Sequence, residues 1–340
     1  MKEIIDAIKK RMTDDKELNQ KILLEELEKN KNNKEVHNTI YKLIFENLPE
    51  NLQDNLVRNI NQTKFEERLK EIQELVQNKK YERALEYLDM AIDKIVPVYE
   101  DDEYVYKTFH SPFEAYLYAK IRNDGSTKKI KNSELDFGVF HKFRGVILFE
   151  LGRYEEAAAE FVESFKWNPL DFEAIFTYAD TLYKLEKYDE YLKLNLDTIK
   201  KAFTNWQIAM CFHNIGRYYL SLGTKEGDIN AYNIISYSIA FDETEYAYRD
   251  LNTICERYNM PKSLAKEKDV IKTVKKEKLP EAPDGELLKK LVEMAQSFIN
   301  VNDEFAVFIF KVIYNITHDP VTNEYIKAGE NAIQEKRSKK

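Results

Sequence analysis

Apolar residues recur along this chain at helical spacing, and the breaks between the stripes mark where helices start and stop. Ile4, Ile5 and Ile8 make a first stripe, and Leu18, Ile22 and Leu27 a second. Ile40, Leu43, Ile44 and Leu48 make a third, which Pro49 ends. Asp14 followed by Glu17 reads as a capping pair for the second helix. Residues 81–92, YERALEYLDMAI, form a good amphipathic helix, and SPFEAYLYAKI another, with Ser111 as cap and Pro112 in its first turn. NDGSTKKIKNSE reads as an exposed loop. Residues 138–242 then hold the densest helical pattern. Glu245 to Tyr258 adds one more helix, with Tyr248, Leu251 and Ile254 on one face. Pro261 to Pro283 reads as a hinge or linker. From Glu286 a last helix pair places Val292, Ala295 and Ile299 inward. Val321 to Gln334 caps the end, and KRSKK is a frayed tail.

The stretch GVFHKFRGVILFELGRYEEAAAEFVESFKWNPLD, residues 138–171, repays counting. With Gly138 as position one, Gly145 falls at eight, Leu148 at eleven, Gly152 at fifteen and Tyr154 at seventeen. Ala157 falls at twenty, Phe161 at twenty-four, Ser164 at twenty-seven and Pro169 at thirty-two. Small Gly145 and Ala157 let two antiparallel helices approach closely, with Phe161 filling the gap beside them. Gly152 suits a left-handed turn after the first helix, and Pro169 stops the second.

These residue types at these offsets resemble the tetratricopeptide repeat (TPR), a helix–turn–helix unit of about 34 residues. His141 stands where that family prefers Trp, and Arg144 where it prefers Leu. One such hairpin cannot bury its apolar face alone, so neighbours are expected. Residues 65–100 repeat the pattern through Leu75, Tyr81, Ala84 and Leu88. Residues 172–205 continue it without a gap, with Tyr191 replacing the small residue of position twenty. Phe212, Gly216, Tyr219 and Gly223 resume it, although the turn TKEGDIN is about three residues too long. The resemblance implies an all-α fold, a right-handed TPR-type superhelix with an N-terminal helical domain. The expected layout is an N-terminal helical domain or cap at 1–63 and a TPR core at 64–259 with an insertion at 98–137. A lysine-rich linker at 260–284 and a C-terminal TPR-like pair with a capping helix at 285–340 complete it. The segments NPLDFEAIFTYADTLYKLEKY and AMCFHNIGRYYLSLG also resemble bacterial TPR proteins of unassigned function.

Composition narrows the function. Among 340 residues, 9 Gly and 8 Pro are few while 22 Tyr and 19 Phe are many, which favours helices packed through aromatic rings. The formal charge of −8 argues against nucleic acid or an anionic membrane as the main partner. Seven lysines against three acids between Lys262 and Lys278 read as a solvated segment, because no aromatic ring there could stack a base. Cys211 and Cys255 have no metal-like or CxxC spacing and are expected reduced and buried. No secretory leader or membrane span is legible, so a cytoplasmic protein is expected.

The catalytic motifs searched for, HExxH, GxxxxGK[ST], GxGxxG and a nucleophile elbow, are missing from the sequence. A non-catalytic protein without cofactor or metal is therefore expected. The resemblance implies that first helices line a concave groove. That assigns Lys142 and Phe149, then Glu173, Phe176, Asp180 and Tyr183, then His213 and Arg217 to capture of an unknown protein or peptide. Val146, Thr177, Met210 and Asn214 replace the residues of a chaperone-tail carboxylate clamp, which is not expected. Two other readings stay open: a peptide-sensing regulator whose N-terminal helices are the output domain, and a structural subunit whose groove is filled by its own C-terminal helix.

Overall fold

The computed structural model of the chain describes residues 2–30, 33–48, 50–92 and 97–338. These residues are mostly helical, and consecutive helices pack on one another. The chain divides into two compact units, residues 1–71 and 72–340.

The first unit holds α1 (Lys2–Arg11), α2 (Lys16–Lys29), α3 (Lys34–Asn47) and the start of α4 (Glu50–Gln77). Its core is Ile5, Ile8, Leu23, Val36, Ile40 and Leu43. The buried residues of α2 are Asn19 and Leu23; of the expected Leu18, Ile22 and Leu27 stripe, Leu27 packs against this core and Leu18 is exposed. The α2 cap is Asp15, not Asp14: its carboxylate accepts from the Glu17 and Leu18 amides at 2.9 and 3.1 Å. Buried Asn19 donates to Asn47 at 3.2 Å and to the Thr13 carbonyl at 2.7 Å, so the polar group inside this small core is satisfied. Pro49, expected to end the third stripe, lies outside the described residues. The expected break at 63/64 falls inside α4, and so does the division between the units.

The second unit continues with α5 (Tyr81–Ile92), β1 (Tyr104–Lys107), α6 (Pro112–Ile121) and β2 (Lys129–Asn132). Helical hairpins follow: α7 (Phe137–Glu150) with α8 (Tyr154–Trp167), then α9 (Phe172–Lys184) with α10 (Tyr188–Ile199). Next come α11 (Asn205–Ser221), α12 (Lys225–Phe241), α13 (Glu245–Arg257) and α14 (Glu267–Lys276). The chain closes with α15 (Gly285–Phe298), α16 (Asp303–Thr317) and α17 (Pro320–Ser338).

Four helix-to-helix turns share one backbone device. Lys79, Gly152, Glu186 and Gly223 all adopt left-handed φ, at 56°, 74°, 57° and 64°. Each falls at position fifteen of the roughly 34-residue count that the resemblance predicts for its segment. Glycine meets that need at no steric cost, and the two non-glycine residues bear a modest strain the surrounding hairpin enforces. Inside α7–α8 the Phe161 ring stands 2.9 Å from where a Cβ on Gly145 would be, so only glycine permits this approach. The departures His141 and Arg144 are used as ties: His141 Nδ1 lies 2.7 Å from Glu160, and Arg144 pairs with Glu160 at 2.9 Å and with Asp89 of α5.

Three segments differ from expectation. TKEGDIN is not a long turn: Thr224 caps α12 and the surplus residues add a helical turn at its start. Gly227 permits it, since a Cβ there would stand 2.5 Å from the Tyr219 carbonyl oxygen. One extra turn leaves the buried face nearly in phase, which is why Ala231, Ile235 and Ser238 still pack. Residues 98–137 hold a single helix between two short parallel strands, Tyr104 pairing with Lys129 and Lys107 with Asn132. Ser111 caps that helix as expected, accepting from the Glu114 amide at 3.2 Å.

The lysine-rich segment is the third. It carries α14, whose Thr273 hydroxyl accepts from Asn233 at 2.8 Å, and Glu277 just beyond receives Tyr219 and Asn230 at 2.8 and 3.0 Å. Its lysines are exposed. In the last hairpin the left-handed residue is Asn300, and Ile299 lies beyond α15 and 43% exposed rather than inward. Ala295 is buried as expected. Lys336, Arg337 and Ser338 of the expected tail belong to α17.

Candidate partner-binding face

The residues expected to line a groove fall into separate groups. Lys142 of α7 reaches α9, with its ammonium 2.8 Å from Asp171 and 3.3 Å from Glu173. Asp171 also caps α9, accepting from the Ala174 amide at 3.1 Å. Burial opposes the charge on Lys142, yet Asp171 and Glu173 together hold its pKa above the ordinary lysine value. Glu173 is exposed, and Phe149 stands apart at the other end of α7, edge-on to Tyr154 at 5.3 Å.

Arg217 of α11 organises the second group. Its guanidinium donates to Asp180 of α9 at 2.5 Å and lies 4.4 Å from the Tyr183 ring centroid. Beneath it Tyr191 is fully buried, its ring 5.3 Å from Tyr183 and its hydroxyl without a hydrogen-bond partner. Burial pushes that hydroxyl well above its ordinary pKa, so it stays protonated. Burial works against the charge of Arg217, but Tyr191 and Asp180 outweigh it and hold the guanidinium above its ordinary pKa. His213 is buried and its Nε2 lies 2.9 Å from Asp250 of α13. Burial alone would raise Asp250, and the His213 contact instead draws its carboxyl below the ordinary value.

Phe176 belongs to a band of rings that spacing alone did not join. It is 5% exposed, and its ring meets Trp206 edge-on at 5.3 Å and Phe172 at 6.1 Å. The band continues through Phe203 to Phe113 of α6 at 5.6 and 5.1 Å, then to Phe308 of α16 at 5.5 Å. Phe305 lies beside Phe308, and Tyr116 of α6 meets both Phe305 and Phe298 of α15. Three members keep a large exposed surface: Tyr116 at 48%, Phe308 at 47% and Trp206 at 39%. Asn205 also donates to the Asn315 carbonyl at 3.0 Å, fastening the start of α11 to α16.

No protein-family model matches this chain, and no curated protein matches it either. Tyr116, Trp206, Phe308 and Asp250 were not among the expected site residues. Trp206 and Tyr116 sit outside the repeat positions assigned to a groove, and Phe308 and Asp250 come from helices whose neighbours only the fold reveals. The signal that could have found them is the excess of aromatic residues, since too many rings to bury leaves some at a surface.

Among the described residues no cluster of His, Cys, Asp or Glu is arranged to hold a metal ion, and no helix is long and apolar enough to cross a membrane. Cys211 and Cys255 are free and buried. Asn214, one of the residues standing where a carboxylate clamp would be, is buried and donates to Asn195 at 3.0 Å.

Proposed function

We propose that the chain is a TPR-type scaffold that binds a partner peptide along the aromatic band and the adjoining Arg217 group, without catalysis or a cofactor. The observation that carries this reading is the exposure of Tyr116, Trp206 and Phe308 along one continuous run of rings. Exposed rings anchored in a rigid core bury large area on binding at little entropic cost, which is what binding hot spots require. The shared left-handed residue at position fifteen of four turns supports the TPR part of the reading. Arg217 and Asp180, half-buried beside the rings, would set the direction of a bound peptide by charge. The fully buried His213 serves the scaffold in this reading.

A second reading has one observation in its favour. Rings of α15 and α16 already pack on α6, as a structural subunit filling its own groove would arrange them. Panning a peptide display library against the full chain separates the two. The scaffold reading expects enriched peptides with apolar or aromatic anchors. It expects their affinity to fall about tenfold or more in the Tyr116→Ala, Trp206→Ala, Phe308→Ala triple variant. No enrichment, or equal affinity for the variant, would favour the self-filled subunit.

A further inference from the structure

A cavity of about 400 Å³ lies between the end of α6, the turn before α9, the end of α10 and the start of α15. Two of its lining cations, Arg122 and Lys201, have unusual partners. Arg122 donates through Nη2 to the Ser126 and Lys128 carbonyls at 2.9 and 2.7 Å, and its Nη1 is buried without a hydrogen-bond partner. Lys201 donates to the Pro169 carbonyl at 2.8 Å. Among the described residues, neither forms an ion pair with a carboxylate. Lys107 nearby repeats the theme, donating to the Lys166 carbonyl at 2.5 Å with its ammonium 5.7 Å from the Tyr118 ring centroid.

Such cations are costly where they stand. A half-buried positive charge met only by carbonyl dipoles loses hydration and gains no counter-charge, and an unsatisfied buried donor adds its own penalty. The chain carries a net charge of −8, so acids are plentiful, yet among the described residues none stands within ion-pair distance of these two groups. Of the acids around the cavity, Asp197 pairs with Lys200 at 2.9 Å and favours the Lys201 charge only from beyond ion-pair distance, and Asp284 caps α15 through the Leu287 amide at 2.8 Å. Glu286 lines the cavity and is exposed. The first turn of α15 faces the same space and adds the positive end of its dipole.

We propose that this cavity binds a small organic oxyanion, a carboxylate or a phosphate monoester, between Arg122 and Lys201. Its volume is within the range of small-ligand sites. Ile121, Leu170 and Leu287 line it with apolar surface for the body of such a ligand. The lining acids Asp197, Asp284 and Glu286 disfavour a polyanion, which limits the charge to one head group. Burial holds the Lys201 ammonium down to about 8, the condition of an amine awaiting a counter-ion. The site is independent of the partner-binding face and stands or falls separately.

Calorimetric titration of the full chain with acetate, inorganic phosphate and glycerol 3-phosphate, at ionic strength matched with chloride, tests it. Saturable binding of an oxyanion but not chloride is expected, with acetate or the phosphates preferred according to the head group the site takes. Arg122→Gln and Lys201→Gln should each weaken binding about tenfold or more, while Lys184→Gln, at an exposed position, should leave it unchanged. No saturable heat with any of the three probes, or equal affinity in the Arg122 and Lys201 variants, overturns the proposal. Acetic anhydride labelling of the unmodified chain gives a readout free of variant misfolding. Labelling of Lys201 that the oxyanion bound in the titration suppresses is expected. Labelling that this oxyanion leaves unchanged, or none at all, overturns the proposal.

Discussion

Lys142 and Arg217, on one side, and Arg122 and Lys201, on the other, are all half-buried cations of the same helical unit. The first two are matched with acids, Lys142 with Asp171 and Glu173, and Arg217 with Asp180. The hydrogen bonds of the other two go to backbone carbonyls, and among the described residues neither has a carboxylate within ion-pair distance. The difference separates two uses of a buried charge. A cation neutralised within the fold fixes how neighbouring helices sit. A cation left without a counter-ion costs stability until something from outside supplies one.

Removing a neutralised cation should hurt most where its partner is most buried. Lys142→Met strands the Asp171 carboxylate, which is only 5% exposed, and should lower unfolding stability by about 3 kcal/mol in urea denaturation. A loss below about 1 kcal/mol would mean that the pair is no better than a surface contact.

Arg217→Met should cost less, about 1–2 kcal/mol, because Asp180 is 46% exposed and water can take over its solvation, leaving chiefly the loss over the Tyr183 ring. Lys201→Met should cost least. It removes an uncompensated charge and keeps the aliphatic stem, so stability should stay within about 1 kcal/mol of the parent or rise. A Lys201→Met loss as large as that of Lys142→Met would erase the distinction between the pairs.

Much of the architecture was legible because the hairpins obey short-range rules. Gly145, Gly152 and Ala157 mark close approach and turn by residue type alone, and the Ser111 cap followed by Pro112 marks the start of α6. The extra turn of α12 was misread as loop because Gly227 looks like a breaker. Its role as a contact residue shows only once the Tyr219 carbonyl is beside it. The parallel pairing of β1 with β2 was invisible because each strand is four residues long and its partner lies across a helix. At the candidate face, the repeat resemblance assigned Arg217, Asp180 and Tyr183 to one surface, and they do meet, on α9 and α11. It could not find that rings of α6 and α16 meet those near α11, nor that Arg122 and Lys201 share a cavity. Those meetings depend on long-range packing that no local pattern encodes.

The pKa of the Lys201 amine, measured by NMR on side-chain carbon or nitrogen in the full chain with and without inorganic phosphate or acetate, tests the contrast most directly. Burial holds this amine at about 8, below the ordinary 10.5, so the folded chain sheds this proton early and the linked stability rises as pH climbs from about 8 to 10.5. Bound phosphate should raise the pKa toward the ordinary value and flatten that rise, because the anion stabilises the charged form. A Lys201 pKa already near the ordinary value without an oxyanion, or one that neither phosphate nor acetate moves, would contradict the account.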